Sequence, residues 1–132
     1  MPSLLVVLVV AVVGFFGLII GLNMMVRWRA QKMKGKPLPS LPGAVGESIR
    51  KADKGLIYFF SPACGACRPL TPKLRSMREK NKNIFLIDVS QDLGVARALS
   101  IMATPSIIEV ERGTIAGVHI GMPPQEVLLR HA

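Results

Sequence analysis

The sequence predicts an α/β fold, with a central mixed sheet flanked by helices, preceded by a single N-terminal transmembrane helix. Three observations predict it. The chain opens with a long apolar run, strand-like and helix-like segments alternate over residues 44–132, and a late Arg-Gly turn indicates an antiparallel hairpin. The 132 residues therefore divide into an anchor at 1–26, a basic and proline-rich linker at 27–43, and one small domain at 44–132.

The N-terminal apolar run extends from Leu4 to Val26 without a charged residue, and Asn23 is its only strongly polar side chain. As a helix it would span roughly 34 Å, enough for a hydrocarbon core of about 30 Å. The alternative is a cleaved signal peptide, which needs a basic start, a shorter apolar stretch and a small-residue cleavage site. The sequence has none of the three, so we predict a retained transmembrane anchor.

A cluster of basic residues without an acid follows this run directly: Arg27, Arg29, Lys32, Lys34 and Lys36. Basic residues close to a span tend to stay on the cytoplasmic side, so we expect the C-terminal domain to face the cytoplasm. The same cluster would lie against anionic headgroups, which makes membrane lipid an expected partner. Gly17 and Gly21 have the spacing of a helix-pairing motif and permit a weak homodimer.

The net charge of +9 does not indicate a nucleic-acid-binding protein. Residues 37–132 hold twelve Lys and Arg against eight Asp and Glu, which leaves only +4 for the domain. A second basic concentration lies on one predicted helix, with Glu79 as its only acid: Arg68, Lys73, Arg75, Arg78, Lys80 and Lys82. We interpret it as a solvated helix face, and the alternative is a docking surface for an acidic partner.

The linker ends in a proline-rich stretch from Lys36 to Gly43, with three prolines in six positions. Such a stretch favours an extended and fairly stiff conformation. We therefore expect a spacer that holds the domain off the membrane.

The first half of the domain reads as helix, strand and helix. Residues 45–53 predict a short helix with Val45, Ile49 and Ala52 on one side. The apolar, β-favouring run Leu56–Phe60 predicts a strand buried on both faces, bounded by Gly55 and by Ser61-Pro62. A helix should follow the second cysteine and continue to about Lys80.

The second half adds the remaining strands and helices. Ile84–Ile87 predicts a second buried strand, which by a right-handed crossover should run parallel to the first. Residues 92–100 predict a helix, and Ser106–Val110 with Thr114–Ile120 predict two strands joined by a turn at Arg112-Gly113. Pro123–Arg130 predicts a closing helix, with prolines in its first turn where they are tolerated.

The chain has two cysteines, Cys64 and Cys67, separated by Gly65-Ala66 at the junction of a predicted strand and a predicted helix. A helix N-terminus favours an anion, so the first thiol should lose its proton more easily. We therefore predict Cys64 as the nucleophile and Cys67 as the resolving cysteine. The small Gly65 and Ala66 leave the turn uncluttered for a substrate.

Three other interpretations of the cysteine pair are possible. A structural disulfide that closes so short a loop would stabilise little. A metal site normally needs four ligands, and His119 and His131 lie far away in the sequence, so neither a metal nor another cofactor is expected. Two buried, inert thiols stay open as an alternative. Redox chemistry is the interpretation that a Cys-x-x-Cys pair in this α/β context favours.

The segment Tyr58–Pro72, Tyr-Phe-Phe-Ser-Pro-Ala-Cys-Gly-Ala-Cys-Arg-Pro-Leu-Thr-Pro, resembles the active-site strand and helix of thioredoxins. Ile101–Ser106 resembles the segment that carries a cis-proline in that family. The resemblance implies a thioredoxin-like fold, a redox-active disulfide between Cys64 and Cys67, and a cis bond between Thr104 and Pro105. It also implies that the Thr104 backbone pairs with an extended substrate. The alternative is that Pro105 is an ordinary strand-entry proline.

The sequence departs from the thioredoxin pattern at three positions. Ala63 replaces the usual Trp, Ala66 replaces Pro, and Tyr58 replaces a buried acid that helps to deprotonate the second cysteine. The first strand of the family is also missing ahead of the 45–53 helix. These differences put reduction by an ordinary thioredoxin reductase in doubt.

These observations predict a membrane-tethered thiol–disulfide oxidoreductase that acts on protein disulfides and dithiols through its Cys-Gly-Ala-Cys pair, as a reductant. Gly65, Ala66, Thr104 and Pro105 are the expected substrate-binding residues, and the electron donor is unknown. Two alternatives stay open. One is a non-catalytic adaptor that binds a protein partner at the membrane. The other is a periplasm-facing domain that handles disulfides or serves cytochrome maturation.

Overall fold

The computed structural model describes residues 2–132, with the side chains of residues 3–132. Its elements, in chain order, are α1 (Pro2–Lys32), α2 (Gly43–Lys51), β1 (Lys54–Phe60), a 3₁₀ helix (Gly65–Cys67), α3 (Leu70–Lys80), β2 (Ile84–Asp88), α4 (Leu93–Ala98), β3 (Ser106–Glu111), β4 (Thr114–Ile120) and α5 (Gln125–Arg130). The sheet has the order β2-β1-β3-β4. Strands β1 and β2 are parallel, while β3 is antiparallel to both β1 and β4. The predicted mixed α/β sheet is confirmed.

Strand β1 lies in the middle of the sheet and is buried on both faces. Ile57 and Phe59 point to the face covered by α2 and α4, through Ile49 of α2 and Val95 of α4. Leu56 and Tyr58 point to the opposite face, which α3 and α5 cover. This alternation follows from the two-residue period of a strand, and it explains why β1 reads as a continuous apolar run.

The helix that follows the cysteines is shorter than predicted and begins later. The chain first forms the 3₁₀ helix, and α3 begins only at Leu70, with Pro69 as its N-cap residue. Pro72 falls within the first turn of α3, where its missing N–H would have no intrahelical partner. The two prolines therefore set where the regular helix begins.

Helix α1 continues past the predicted end of the anchor at Val26 and runs through the first basic residues to Lys32. Lys32 Nζ lies 3.5 Å from the centroid of the Trp28 ring, a cation–π contact that favours one more helical turn. The apolar side chains of Leu4 and of most residues up to Met25 are exposed. Among the described residues, Ser3–Lys32 is the one helix long and apolar enough to cross a membrane.

The linker is not the free spacer that its prolines predict. Gly35 N–H donates to Ile115 O at 2.7 Å, and Leu38 N–H donates to Gly113 O at 2.8 Å. Pro37 is bridged to Thr114, so the segment pairs with the outer edge of β4. Two physical causes explain the difference: the exposed edge of β4 offers unpaired backbone groups, and the linker carries apolar residues that the core can bury.

Leu41 joins the linker to the core, because its side chain is 7% exposed and packs in the cluster around Ile57. Gly46 of α2 lies directly against the Leu41 backbone, where a Cβ atom would collide with the Leu41 carbonyl group. The linker and α2 thus form one packed unit. The domain is consequently held close to the C-terminal end of α1, which itself contacts β4.

Candidate active site

The site lies where β1 ends and the chain turns into the 3₁₀ helix. Ser61 follows β1 and accepts two hydrogen bonds that hold the turn. Its carbonyl accepts from the Cys64 N–H at 3.0 Å, and its hydroxyl oxygen accepts from the Ala63 N–H at 3.3 Å. Cys64 then becomes the N-cap residue of the 3₁₀ helix, which the strand-to-helix junction in the sequence indicated.

The sulfur atoms of Cys64 and Cys67 are bonded to each other, and the two Cα atoms are 5.3 Å apart. The two cysteines differ in exposure. Cys64 is partly exposed, whereas Cys67 is 2% exposed. The Cys67 N–H lies 3.2 Å from Cys64 Sγ and donates to it. Such a donor stabilises a thiolate at Cys64 once the disulfide is reduced.

Tyr58 lies beneath the disulfide, fully buried and stacked on Phe60 at 5.4 Å between ring centroids. Thr71 Oγ1 donates to the Cys67 carbonyl at 2.9 Å, and it shares a hydrogen bond of 2.8 Å with the Tyr58 hydroxyl. Burial raises the pKa of Tyr58 above 10.0, although the hydrogen bond with Thr71 and the charge of Arg75 oppose the shift. Tyr58 therefore stays protonated at neutral pH and does not replace a carboxylate as a base.

Both cysteines line a cavity of about 350 Å³, which we call the cysteine cavity. It also contains Arg68, Thr71 and Arg75 of the helical side and Asp88 at the end of β2. Asp88 is not among the site residues predicted from the sequence. The position of Asp88 could have indicated a site residue, because the carboxyl ends of the parallel strands β1 and β2 lie at the same end of the sheet. Asp88 is paired there with Phe60. Asp88 Oδ1 accepts hydrogen bonds from the Ser90 N–H at 2.9 Å and the Ser90 hydroxyl at 2.6 Å.

Thr104 and Pro105 lie in the loop that leads into β3, and the peptide bond between them is cis. Because β3 is antiparallel to β1, Ser106 at its start pairs with Phe59 near the end of β1. The loop and the cysteines are thus at the same end of the sheet. Thr104 is partly exposed and Pro105 is buried, and neither lines the cysteine cavity. Gly65 and Ala66 are exposed beside the disulfide.

A second cluster of ionisable groups, away from the cysteines, surrounds the buried Glu109 of β3. His119 Nε2 lies 3.0 Å from Glu109 Oε2, His131 Nε2 lies 3.1 Å from Oε1, and Arg130 Nη2 lies 3.2 Å from Oε1. Burial by itself raises the pKa of Glu109, but the two histidine hydrogen bonds and the charge of Arg130 outweigh burial and hold this pKa below 4.5.

This cluster was not predicted from the sequence, because its members lie on β3, β4 and the C-terminal end. A glutamate at an inward position of an otherwise apolar strand is the signal that could have found it. Within residues 2–132, no group of three His, Cys, Asp or Glu side chains is arranged to hold a metal ion.

A family model described as thioredoxin matches residues 44–132, which is the whole sheet with its helices and the cysteine pair. The chain belongs to the thioredoxin family. Thioredoxin of Echinococcus granulosus is 33% identical over 78 residues, which cover 57% of this chain and 73% of that protein. Thioredoxin of Bacillus subtilis is 26% identical over 76 residues, covering 55% of this chain and 73% of that protein.

Solved thioredoxin structures share the fold. Reduced Schistosoma mansoni thioredoxin pre-protein superimposes with a TM-score of 0.57 at 25% identity, covering 67% of this chain and 88% of that one. Oxidised mitochondrial thioredoxin 3 of Saccharomyces cerevisiae does so with a TM-score of 0.53 at 23% identity, covering 64% and 81%. The thioredoxin domain with its bonded cysteine pair makes this chain a thiol–disulfide oxidoreductase, and its general partners are protein disulfides.

Proposed function

We propose that this thioredoxin domain is held at a membrane by α1 and works as a reductant, with Cys64 as the nucleophile and Cys67 as the resolving cysteine. The difference in exposure between the two cysteines is the observation that carries the proposal. A substrate can approach the partly exposed Cys64, while Cys67, 2% exposed, is reached only from within the site. The Cys67 N–H beside Cys64 Sγ adds a preference for the thiolate at the outer position.

The reaction proceeds in two exchange steps. In the first, the Cys64 thiolate attacks one sulfur of the substrate disulfide, forms a mixed disulfide and releases the other substrate sulfur as a thiolate. In the second, the Cys67 thiolate attacks Cys64 Sγ, so that the mixed disulfide breaks and the second substrate sulfur leaves. Two electrons pass to the substrate, its thiolates take up protons, and the Cys64–Cys67 disulfide forms. A dithiol or another two-electron donor must then reduce that disulfide.

Removal of the Cys67 proton has no buried carboxylate to assist it at Tyr58, whose phenol stays protonated. The thiolate released from the substrate in the first step is a suitable acceptor. It is formed next to the mixed disulfide at the moment when Cys67 must ionise.

Gly65, Ala66, Thr104 and Pro105 form the proposed substrate-binding surface. Gly65 and Ala66 support it because they are exposed next to the disulfide and carry no bulky side chain. Thr104 supports it because the residue is partly exposed and lies at the same end of the sheet as the cysteines. An extended substrate segment that paired with the Thr104 backbone would run past Cys64.

The membrane tether rests on α1, whose apolar side chains are exposed over a length sufficient for a bilayer. The basic cluster at its C-terminal end favours a domain in the cytoplasm, where thiols are kept reduced. Alkaline phosphatase is active only on the side of the membrane where disulfides form. A fusion of alkaline phosphatase to the C-terminus of this chain should therefore be inactive. An active fusion would place the domain on the outer face and would favour the periplasmic alternative.

The redox proposal is tested by trapping. In membranes that contain the full chain, Cys67→Ser should accumulate mixed disulfides on Cys64, seen as adducts that disappear under reducing electrophoresis. Cys64→Ser is the matched control and should accumulate few. Equal adducts on both variants would contradict the assigned roles. A reduction potential of about −270 mV would support a reductant, whereas one of about −120 mV would indicate an oxidant.

A further inference from the structure

Strand β2 is the last strand on its side of the sheet. Strand β1 pairs with one edge of β2 and leaves the other edge of β2 open. Leu56 N–H donates to Asn83 O at 3.0 Å, and Val89 N–H donates to Phe60 O at 2.9 Å. Because backbone groups of a strand alternate between its two edges, the N–H and C=O of Leu86 point away from β1. Within the described part of the chain, no strand or loop pairs with Leu86 on that outer side.

A groove of about 520 Å³ lies along this side of the domain, between α2 and α3, with Phe85 of β2 among its lining residues. We call it the edge groove. Its charged lining consists of Arg75, Arg78 and Lys82 against the single acid Glu79. Val45 of α2, 38% exposed, adds an apolar wall. Three of the six basic residues on and near α3 therefore line one groove instead of being spread over the helix surface.

The edge groove adjoins the cysteine cavity. Arg75 lines both the edge groove and the cysteine cavity. Strand β2 runs in the same direction, because Phe85 lines the edge groove and Asp88, at the end of the strand, lines the cysteine cavity. A chain segment laid along β2 would thus end beside Cys64 and Cys67.

We propose that the edge groove binds an acidic segment of a partner protein in extended conformation, which adds to β2 as a fifth strand. The free backbone groups of Leu86 select an extended segment, since strand addition satisfies them with main-chain hydrogen bonds. The cationic lining selects acidic side chains, because charge complementarity steers and orients the segment. A second copy of this chain is a poor occupant, because its domain carries a net charge of +4.

This site differs from the surface around Thr104, and its occupancy does not depend on the direction of electron flow at the cysteines. It would hold a partner at the domain while a disulfide or dithiol of that partner reacts. The basic residues on and near α3, which the sequence predicts as a solvated helix face, thereby gain a specific occupant.

Binding to the full chain in detergent micelles tests the proposal. The probe is a short fluorescein-labelled peptide in which glutamate alternates with threonine, followed by fluorescence anisotropy. The variant Arg78→Glu/Lys82→Glu should weaken binding by about tenfold or more, since both side chains line the edge groove. Lys80→Glu/Lys73→Glu is the matched control, with the same charge change on exposed residues outside the edge groove, and it should weaken binding far less.

Strand pairing needs a separate test that leaves the protein unchanged. N-methylation of alternate peptide amides blocks hydrogen bonding on one edge of an extended peptide, and two such peptides block one edge each. The peptide methylated on the edge that pairs with β2 should bind much more weakly than the unmethylated parent, whereas the peptide methylated on the other edge should bind about as well as the parent. The parent should also slow hydrogen exchange of the Leu86 amide severalfold.

Three results would overturn the proposal. One is equal loss of binding in the edge-groove variant and its charge-matched control. Another is equal affinity for a peptide in which lysine replaces each glutamate. The third is tight binding of the acidic peptide with unchanged exchange at Leu86, which would mean electrostatic attraction without strand addition.

Discussion

The hydroxyl oxygen of Tyr58 lies 2.8 Å from Oγ1 of Thr71, beneath the cysteine pair. Thr71 Oγ1 also donates a hydrogen bond to the Cys67 carbonyl. Strand β1 is thus joined to the start of α3 through two side-chain hydroxyls. The family's buried acid would occupy the position of Tyr58. This chain therefore uses the position to fix the active-site turn and supplies no base there.

Tyr58→Phe should lower the free energy of unfolding by about 1 kcal/mol, because it removes one buried hydrogen bond and keeps the aromatic ring. It should leave the pH profile of disulfide reduction unchanged between about pH 6 and 9, since the pKa of Tyr58 is raised above 10.0 by burial. Urea titration and initial rates across that range measure the two effects. A profile that shifts in the variant would assign Tyr58 a part in proton transfer.

In the reduced protein, Cys64 should react with iodoacetamide much faster than Cys67. Cys64 is partly exposed and accepts the Cys67 N–H, whereas Cys67 is 2% exposed. Mass spectrometry of the two single serine variants after timed alkylation gives both rates. Denaturation in urea is the control and should bring the two rates together, because the difference arises from the folded site. Similar rates in the folded protein would argue against Cys64 as the attacking thiol.

Glu109 should make stability depend on acid pH. Its pKa in the folded chain lies below the ordinary value of 4.5, so the ionised carboxylate stabilises the fold above about pH 4.5. That contribution is lost as the pH falls through the lower folded-state pKa. Glu109→Gln should cost about 1–3 kcal/mol at neutral pH and should flatten the acid limb of the stability curve.

The matched control for Glu109 is Glu111→Gln, on the same strand but exposed, with its nearest cation Lys54 at 3.9 Å. It should cost less than about 1 kcal/mol. Urea titrations of both variants between about pH 3 and 7 make the comparison. Parallel curves for Glu109→Gln and the parent chain would show that the buried cluster does not carry the acid dependence.

Leu41→Ala should lower the free energy of unfolding by about 2–4 kcal/mol, because a buried leucine leaves a cavity in the core. Leu129→Ala is the control, since Leu129 is 65% exposed and its truncation should cost under about 0.5 kcal/mol. Urea titration of the full chain in detergent gives both values. Equal costs would mean that the linker is not part of the folded domain.

The elements of the fold were predictable to a large extent, because each is encoded in a short stretch of sequence. The run Leu56–Phe60 lies within β1, and the turn at Arg112-Gly113 joins β3 to β4 with both residues at positive φ. The helix ends were less well predicted. Pro69 and Pro72 delay α3, and Trp28 with Lys32 extends α1, through contacts that periodicity does not register.

What the sequence determined by itself was the strand-to-helix placement of Cys64 and Cys67 and the apolar N-terminal run, because these depend on neighbours along the chain. Only the tertiary structure decided the fate of the linker, which pairs with β4 and buries Leu41. It also decided the grouping of Glu109 with two histidines and the open edge of β2. Those features depend on which distant segments meet, and the free energy of burying and pairing them is set by the whole sheet rather than by local propensity.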